Sequence, residues 1–218
     1  MKTALVFGSS GLIGGHLLSQ LIENDDYNRI KIFVRSEPEI NDPKVEIIKT
    51  DFNSLENHKE DIKGDDCFFC IGTTKQNSPD KNEYRRVELD VPKEIAQIAK
   101  SNSVFSFVFV SSGYADPKSS GDYLKFKGEV EEELKRLNFS KLGIMRPSFL
   151  LGDRKEKRVG EKIGIFVFKL LSPLFLGPLK KMKPIHSATV AKAMIRTANE
   201  DLEKIIFESN EIAELVLN

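Results

Sequence analysis

The sequence predicts an α/β fold, a doubly wound parallel sheet with helices on both faces, and three observations predict it. Short apolar runs alternate with helix-length amphipathic stretches from residue 3 to residue 146, the order that builds a parallel sheet covered by crossover helices. A glycine triplet, Gly8, Gly11 and Gly14, sits directly between the first apolar run and the first helical stretch. Tyr123 and Lys127 stand four residues apart in a helical stretch that follows the most hydrophobic strand, and positions i and i+4 share one face of a helix.

In chain order, Thr3–Phe7 reads as a strand and Leu12 to about Asn24 as a helix. Arg29–Val34 reads as the second strand, Val45–Ile48 as a weaker third and Asp65–Ile71 as the fourth. A long helix is expected from about Asp80 to Lys100, with Val87, Val91, Ile95 and Ile98 in one apolar stripe. Pro92 inside it predicts a kink or a fresh helix start, because proline lacks the amide that continues the ladder. Val104–Val110 is the fifth strand, Gly121–Leu137 a helix and Leu142–Met145 the sixth strand. Ser187–Ala198 reads as the last helix and Lys204–Phe207 as a candidate final strand.

The pattern weakens after Arg146. The charged run Arg154–Arg158 is expected at the surface, and the apolar run Ile163–Leu179 is broken by Lys169, Pro173, Gly177 and Pro178. A membrane span needs about 20 mostly apolar residues, so no span is expected. A lid over a substrate pocket or a subunit interface is favoured for this stretch. The basic Lys180, Lys181 and Lys183 keep peripheral membrane contact through 163–183 open. The expected organisation is a single domain over 1–218, with 149–184 as a lid or substrate segment and oligomeric state open.

With 218 residues, 40% of them hydrophobic and 30% charged, the chain can bury a sizeable core as a soluble globular protein. Lys+Arg and Asp+Glu both number 33, which argues against a nucleic-acid partner, since such proteins carry a basic excess. Cys67 and Cys70 are the only cysteines, too few for a disulfide framework or a four-cysteine zinc site, and no metal site is expected. Lying three apart on a strand they face opposite sides, so the reading as small core residues outweighs a redox C-x-x-C. The first eight residues reach a glycine too soon for a secretory signal peptide, and a cytoplasmic location is the expectation.

A glycine turn between strand and helix lets the backbone approach a pyrophosphate, which the free N–H groups at the helix start then bind. The fold is therefore read as Rossmann-like and NAD(P)-binding, with Gly8, Ser10, Gly11, Leu12, Ile13 and Gly14 as cofactor contacts. The second strand ends Val34-Arg35-Ser36, without the acid that would bind a ribose 2′-hydroxyl. The planar guanidinium of Arg35 suits a phosphate and points to NADP(H). Asp51 and Phe52 end the third strand on the adenine side, while Gly72, Thr73 and Thr74 end the fourth near the ribose or diphosphate. His16 is read as a surface or packing residue rather than a ligand, and His186 as a packing residue rather than a catalyst.

Ligands of open parallel sheets bind beyond the carboxyl ends of the strands, and Ser111 and Ser112 lie at such an end. A free phenol has a pKa of about 10, and a nearby ammonium stabilises its phenolate. Tyr123 can then pass a proton to a carbonyl oxygen, or take it in reverse, with Lys127 holding ribose hydroxyls and a serine hydroxyl orienting the reacting oxygen.

The stretches GSSGLIGGHLL, CIGTT, SSGYADPKSSGDYLKFKGEVE and MRPSFLLGDR resemble the short-chain dehydrogenase/reductase superfamily in its atypical, NmrA-like branch, and most of all the Tat-interacting-protein oxidoreductases. The resemblance implies that Tyr123 and Lys127 are the catalytic pair and that NADP(H) is the cofactor. It favours Ser112 as the catalytic serine, with Ser111 second and also a cofactor contact, and brings the backbone at Pro147 to the nicotinamide amide. Two departures stand out: CIGTT replaces an asparagine-rich motif, and Ser112 precedes Tyr123 by only 11 residues. The functional expectation is a reductase or dehydrogenase of a small carbonyl or alcohol. The alternative is an NADPH-binding regulatory or sensor protein with little turnover. A sugar-nucleotide epimerase is discounted, because little chain follows the sixth strand to form a substrate domain.

Overall fold

A computed structural model describes residues 1–152 and 183–217. Seven parallel strands form the main sheet among the described residues: β1 (Lys2–Phe7), β2 (Tyr27–Val34), β3 (Val45–Lys49), β4 (Asp66–Phe69), β5 (Ser106–Val110), β6 (Lys141–Arg146) and β9 (Ile206–Glu208). Their spatial order is β3-β2-β1-β4-β5-β6-β9. The connection reverses direction beside β1, so β2 and β4 flank it, and that switch point is where open α/β sheets bind ligands.

Alternation along the strands divides the core into two layers. Ala4, Val6, Phe68 and Val108 face one layer, which α1 (Leu12–Glu23) and α5 (Ser187–Asn199) cover with Leu17, Leu21, Val190 and Met194. Leu5, Phe7, Phe69 and Phe107 face the other, covered by α3 (Val91–Ser101) and α4 (Asp122–Leu137) through Ile95, Ala99, Val130 and Leu134. Phe7 stacks on Phe33 of the neighbouring strand with ring centroids 4.2 Å apart. Cys67 belongs to the second layer and Cys70 packs on the first, its Sγ 3.9 Å from Met194 Sδ. The two thiols are free and face opposite sides of the sheet, as period-two alternation requires.

The long helix is not continuous. A short α2 (Lys81–Arg85), N-capped by Asp80 through the amides of Asn82 and Glu83, runs into a π-helical turn, Arg86–Asp90, before α3 begins with Pro92 in its first turn. The proline therefore marks a helix start, where its missing N–H costs nothing. β2 begins at Tyr27, ahead of the expected Arg29, because the fully buried Tyr27 donates its hydroxyl to the buried Asp66 at 2.7 Å. Ser187–Asn199 is not the last helix: α6 (Ser209–Leu217) follows β9, burying Ile212 against the core.

β7 (Leu150–Leu151) pairs in parallel with β8 (Ile185–His186), joining the two ends of the expected lid segment. The charged run 154–158 and the apolar run 163–179 lie outside the described residues, as do Lys180 and Lys181. Among the described residues no helix is long and apolar enough to cross a membrane, and no cluster of three or more His, Cys, Asp or Glu is placed to hold a metal ion. His16 and His186 are both exposed, which fits a surface position and not a packing one.

Candidate cofactor and active site

The glycine turn follows β1 at the switch point. Gly8 has φ +91°, a left-handed conformation that favours glycine. Gly14 is needed for closeness: a Cβ there would stand 2.0 Å from the Gly8 carbonyl oxygen. The Gly11 N–H donates to that same oxygen at 3.0 Å, closing the turn. Gly11 caps α1 without a side-chain acceptor, and the first helical turn carries no acidic residue. Among the described residues the leading N–H groups of α1 therefore have no side-chain cap competing with an anion, and this chemistry fits a dinucleotide pyrophosphate. Ser10 is exposed and Leu12 half-buried, whereas the Ile13 side chain sits in the core and leaves only its backbone for a ligand.

Arg35, directly after β2, is exposed, with no hydrogen bond or ion pair among the described residues. Asp51 is exposed and accepts the Asn53 N–H at 2.9 Å; these hydrogen bonds from Asn53 hold its carboxyl below the usual range. Phe52 has φ +64°. Its carbonyl accepts from Arg86 Nη2 at 2.6 Å, and Arg86 is itself gripped by both oxygens of Glu94. Gly72 is exposed beyond β4. The Thr73 N–H donates to Glu88 Oε1 at 2.5 Å and its hydroxyl lies 3.1 Å from Ser78 Oγ, while the Thr74 carbonyl and hydroxyl accept from the Asn77 N–H.

At the end of β5 the two serines diverge. Ser111 is buried and donates to Glu131 Oε1 at 2.5 Å. Ser112 is half-buried, and its hydroxyl reaches only the Gly113 carbonyl, at 3.3 Å. The Gly113 N–H donates to the Pro147 carbonyl at 3.0 Å, so the loops after β5 and β6 are tied together.

Tyr123 lies in the first turn of α4, 38% exposed, and Lys127 one turn later is buried. Lys127 Nζ stands 5.9 Å from the Tyr123 ring centroid, 5.0 Å from the Phe109 ring and 3.4 Å from the Val110 carbonyl it donates to. Its counter-charge is Glu88 Oε2, at 3.0 Å. Both groups are buried, so the pair is shielded from solvent. Burial pulls the Lys127 ammonium down, but Glu88 and Tyr123 outweigh it and hold its pKa above the ordinary lysine value.

Glu88, Arg86 and Glu131 were not among the residues expected from sequence. Glu88 and Arg86 fall inside a stretch read as one regular helix, and the π turn inserts an extra residue that breaks the 3.6-residue period there. Glu131 reads as one acid among several on α4, and nothing local marks it as buried.

Residues 8–201 match the family described as NAD(P)H-binding. The chain is 30% identical to the protein FMP52-1, mitochondrial, of Scheffersomyces stipitis over 98% of both chains. It is 31% identical to the protein FMP52, mitochondrial, of Candida glabrata over 100% of this chain and 97% of that one. It is 32% identical to the protein HTATIP2 of Rattus norvegicus over 73% of this chain and 67% of that one. Among solved structures, a UDP-N-acetylglucosamine 4-epimerase from Methanobrevibacter ruminantium superposes with a TM-score of 0.69 at 20% identity, covering 92% of this chain and 74% of that one. The Bordetella bronchiseptica enzyme WbmH in complex with NAD+ gives 0.70 at 16% identity, covering 95% and 75%. At such identities the likeness is one of fold. The cytoplasmic expectation does not stand, because the FMP52 relatives are named mitochondrial. A Rossmann-like sheet, an anion-ready glycine turn, the match over residues 8–201 and full-length relatives lead to one conclusion: the chain belongs to the NAD(P)H-binding family, in its atypical short-chain dehydrogenase/reductase branch with the FMP52 and HTATIP2 proteins.

Proposed function

We propose that this protein is an NADP(H)-dependent oxidoreductase acting on a small carbonyl or alcohol, built as one cofactor-binding domain. The observation that carries this is the buried Lys127 ammonium set 5.9 Å from the ring of Tyr123 at the strand ends beside the glycine turn. A lysine buried with a counter-ion next to a half-open tyrosine is costly to maintain for packing alone and suits proton transfer. When bound, the nicotinamide supplies or accepts the hydride. Tyr123 gives its phenolic proton to the carbonyl oxygen in reduction and takes it back in oxidation. Lys127 holds positive charge against the developing phenolate and bonds ribose hydroxyls. Ser112 donates its hydroxyl to the substrate oxygen. The first amides of α1 would hold the pyrophosphate, with Gly72 and Thr73 near the ribose or diphosphate. Arg35, exposed and without a partner among the described residues, would hold the 2′-phosphate that distinguishes NADPH from NADH.

The test pairs NADPH titration, read by nicotinamide fluorescence, with NADPH oxidation at 340 nm over a panel of aldehydes, ketones and quinones. Micromolar binding together with turnover supports the reading. Tight binding with no turnover on the whole panel replaces it with the sensor role, and no binding of either nicotinamide cofactor removes both.

A further inference from the structure

We propose that Glu88 is the positioning residue of this site, its two oxygens fastening the Lys127 ammonium to the Thr73 amide at the end of β4. Glu88 is fully buried. Oε1 accepts the Thr73 N–H at 2.5 Å and Oε2 lies 3.0 Å from Lys127 Nζ. One carboxylate therefore links the turn after β4 to α4. A Cβ on Gly72 would stand 3.5 Å from Glu88 Oε1 and 4.0 Å from Lys127 Nζ, so the pair lies directly beneath the Gly72 backbone.

Two features separate this from an ordinary buried ion pair. The first is cost: a buried pair is often no more stabilising than an apolar pair of the same size. Yet here it is retained where β4 and β5 end, between Thr73, Val110 and Tyr123. The second is the backbone that delivers it. Glu88 sits in the π turn Arg86–Asp90, and such turns are strained insertions found disproportionately at functional sites. The same turn sends Arg86 to the Phe52 carbonyl, so one irregular turn reaches both the adenine-side loop and the catalytic lysine. The other titratable groups around the pair are Tyr84, Tyr123, Asp122 and Cys70. Glu88 is the only carboxylate among them paired with Lys127 in the described residues. Its function is to keep Lys127 charged and aimed at the Tyr123 side of the cleft. This inference rests on the oxidoreductase reading for its catalytic consequence, but the placement of Lys127 is measurable without it.

The experiment compares wild type, Glu88→Gln and Glu88→Asp. Glu88→Gln keeps an oxygen for the Thr73 N–H and removes the charge; Glu88→Asp keeps the charge on a shorter arm. Three quantities are read: NADPH affinity, turnover, and the pH titration of the Lys127 side chain by NMR of selectively labelled lysine, assigned with Lys127→Arg. Glu88→Gln is expected to weaken NADPH binding about tenfold, to lower kcat, and to move the Lys127 titration measurably downward, since the opposing charge that favours the ammonium is gone. Glu88→Asp is expected to recover part of all three. A Lys127 titration unchanged in Glu88→Gln overturns the proposal, whatever the cofactor results. If wild type binds no nicotinamide cofactor, the oxidoreductase reading fails, and the titration alone decides the role of Glu88. Should Glu88→Gln fail to fold, Glu88→Asp decides it: a Lys127 titration and NADPH affinity both identical to wild type after the carboxylate is drawn back overturn the positioning role, and a shift in either supports it.

Discussion

Ser111 donates its hydroxyl to Glu131 at 2.5 Å, and Arg146 grips the same carboxylate through Nε at 2.9 Å and Nη2 at 2.5 Å. Arg146 also reaches Glu208 at 3.5 Å and the Ala115 carbonyl at 3.1 Å. Ser111 thus belongs to a clamp joining the ends of β5, β6 and β9, and its hydroxyl is committed there. Ser112, on the alternate side of the chain, takes no part in this clamp and is the serine proposed to meet the substrate oxygen. Ser111→Ala is expected to cost about 1–3 kcal/mol by leaving Glu131 short of a donor, a melting-point loss of roughly 2–4 °C per kcal/mol for a chain of this size, with kcat little changed. Ser112→Ala is expected to leave melting unchanged and to lower kcat. The reverse pattern in paired melts and kinetics would return the catalytic role to Ser111.

Tyr123→Phe removes one exposed hydroxyl and no buried contact. General acid–base groups contribute about 10²–10⁴-fold, so kcat is expected to fall by that range while NADPH affinity and melting temperature stay near wild type. A variant retaining more than half the wild-type rate removes Tyr123 from proton transfer.

Arg35 has no described partner to lose, so Arg35→Ala should not change stability. Charge-assisted hydrogen bonds are worth about 1.5–3 kcal/mol, and NADPH affinity is expected to drop about tenfold to a hundredfold with NADH affinity nearly constant. Parallel titrations of both cofactors check this; equal losses rule out a 2′-phosphate contact.

Gly14→Ala places a Cβ 2.0 Å from the Gly8 carbonyl oxygen. That oxygen is backbone, held by the Gly11 N–H, so the turn itself must open. Overpacking of a fixed site costs about 1–3 kcal/mol or more. A lower melting point with loss of NADPH binding is expected, whereas Gly15→Ala, whose Cβ would stand 3.7 Å from the Ser9 carbonyl oxygen, should be far milder.

Burial pushes the Cys70 thiol up to about 12 and holds Cys67 well above the ordinary thiol range. Burial, then Asp66, raises the Tyr27 phenol, and burial with Glu88 raises Tyr84. In each case the folded chain keeps a proton that the unfolded chain releases, so the unfolded state binds fewer protons and stability falls as pH rises. The loss begins above the unfolded thiol value of about 8.5 and steepens above the phenol value of about 10, at up to about 1.4 kcal/mol per pH unit for each group. The raised Lys127 acts in the same direction at higher pH. Urea midpoints measured from pH 7.5 to 10.5 should fall, and a Cys67→Ala/Cys70→Ala chain should lose the onset between about pH 8.5 and 10. A flat profile in the parent contradicts the burial of these groups.

The element order, the parallel sheet, the glycine turn and the Tyr123–Lys127 pairing were all readable from one-dimensional pattern, because strand alternation, helical spacing and glycine placement are local properties. The two-layer split of Cys67 and Cys70 followed for the same reason. Only the tertiary structure decided which groups stand against these residues: Glu88 against Lys127, Glu131 against Ser111 and Arg86 against Phe52. Each partner lies in a different element from the residue it meets, and two of the three ride on a π turn whose extra residue defeats the helical period. The different settings of two adjacent serines, the company of Lys127 and the restraint on the Phe52 loop are long-range packing outcomes. Burial converts such charges from solvated surface groups into paired ones, and burial is a property of the folded chain alone.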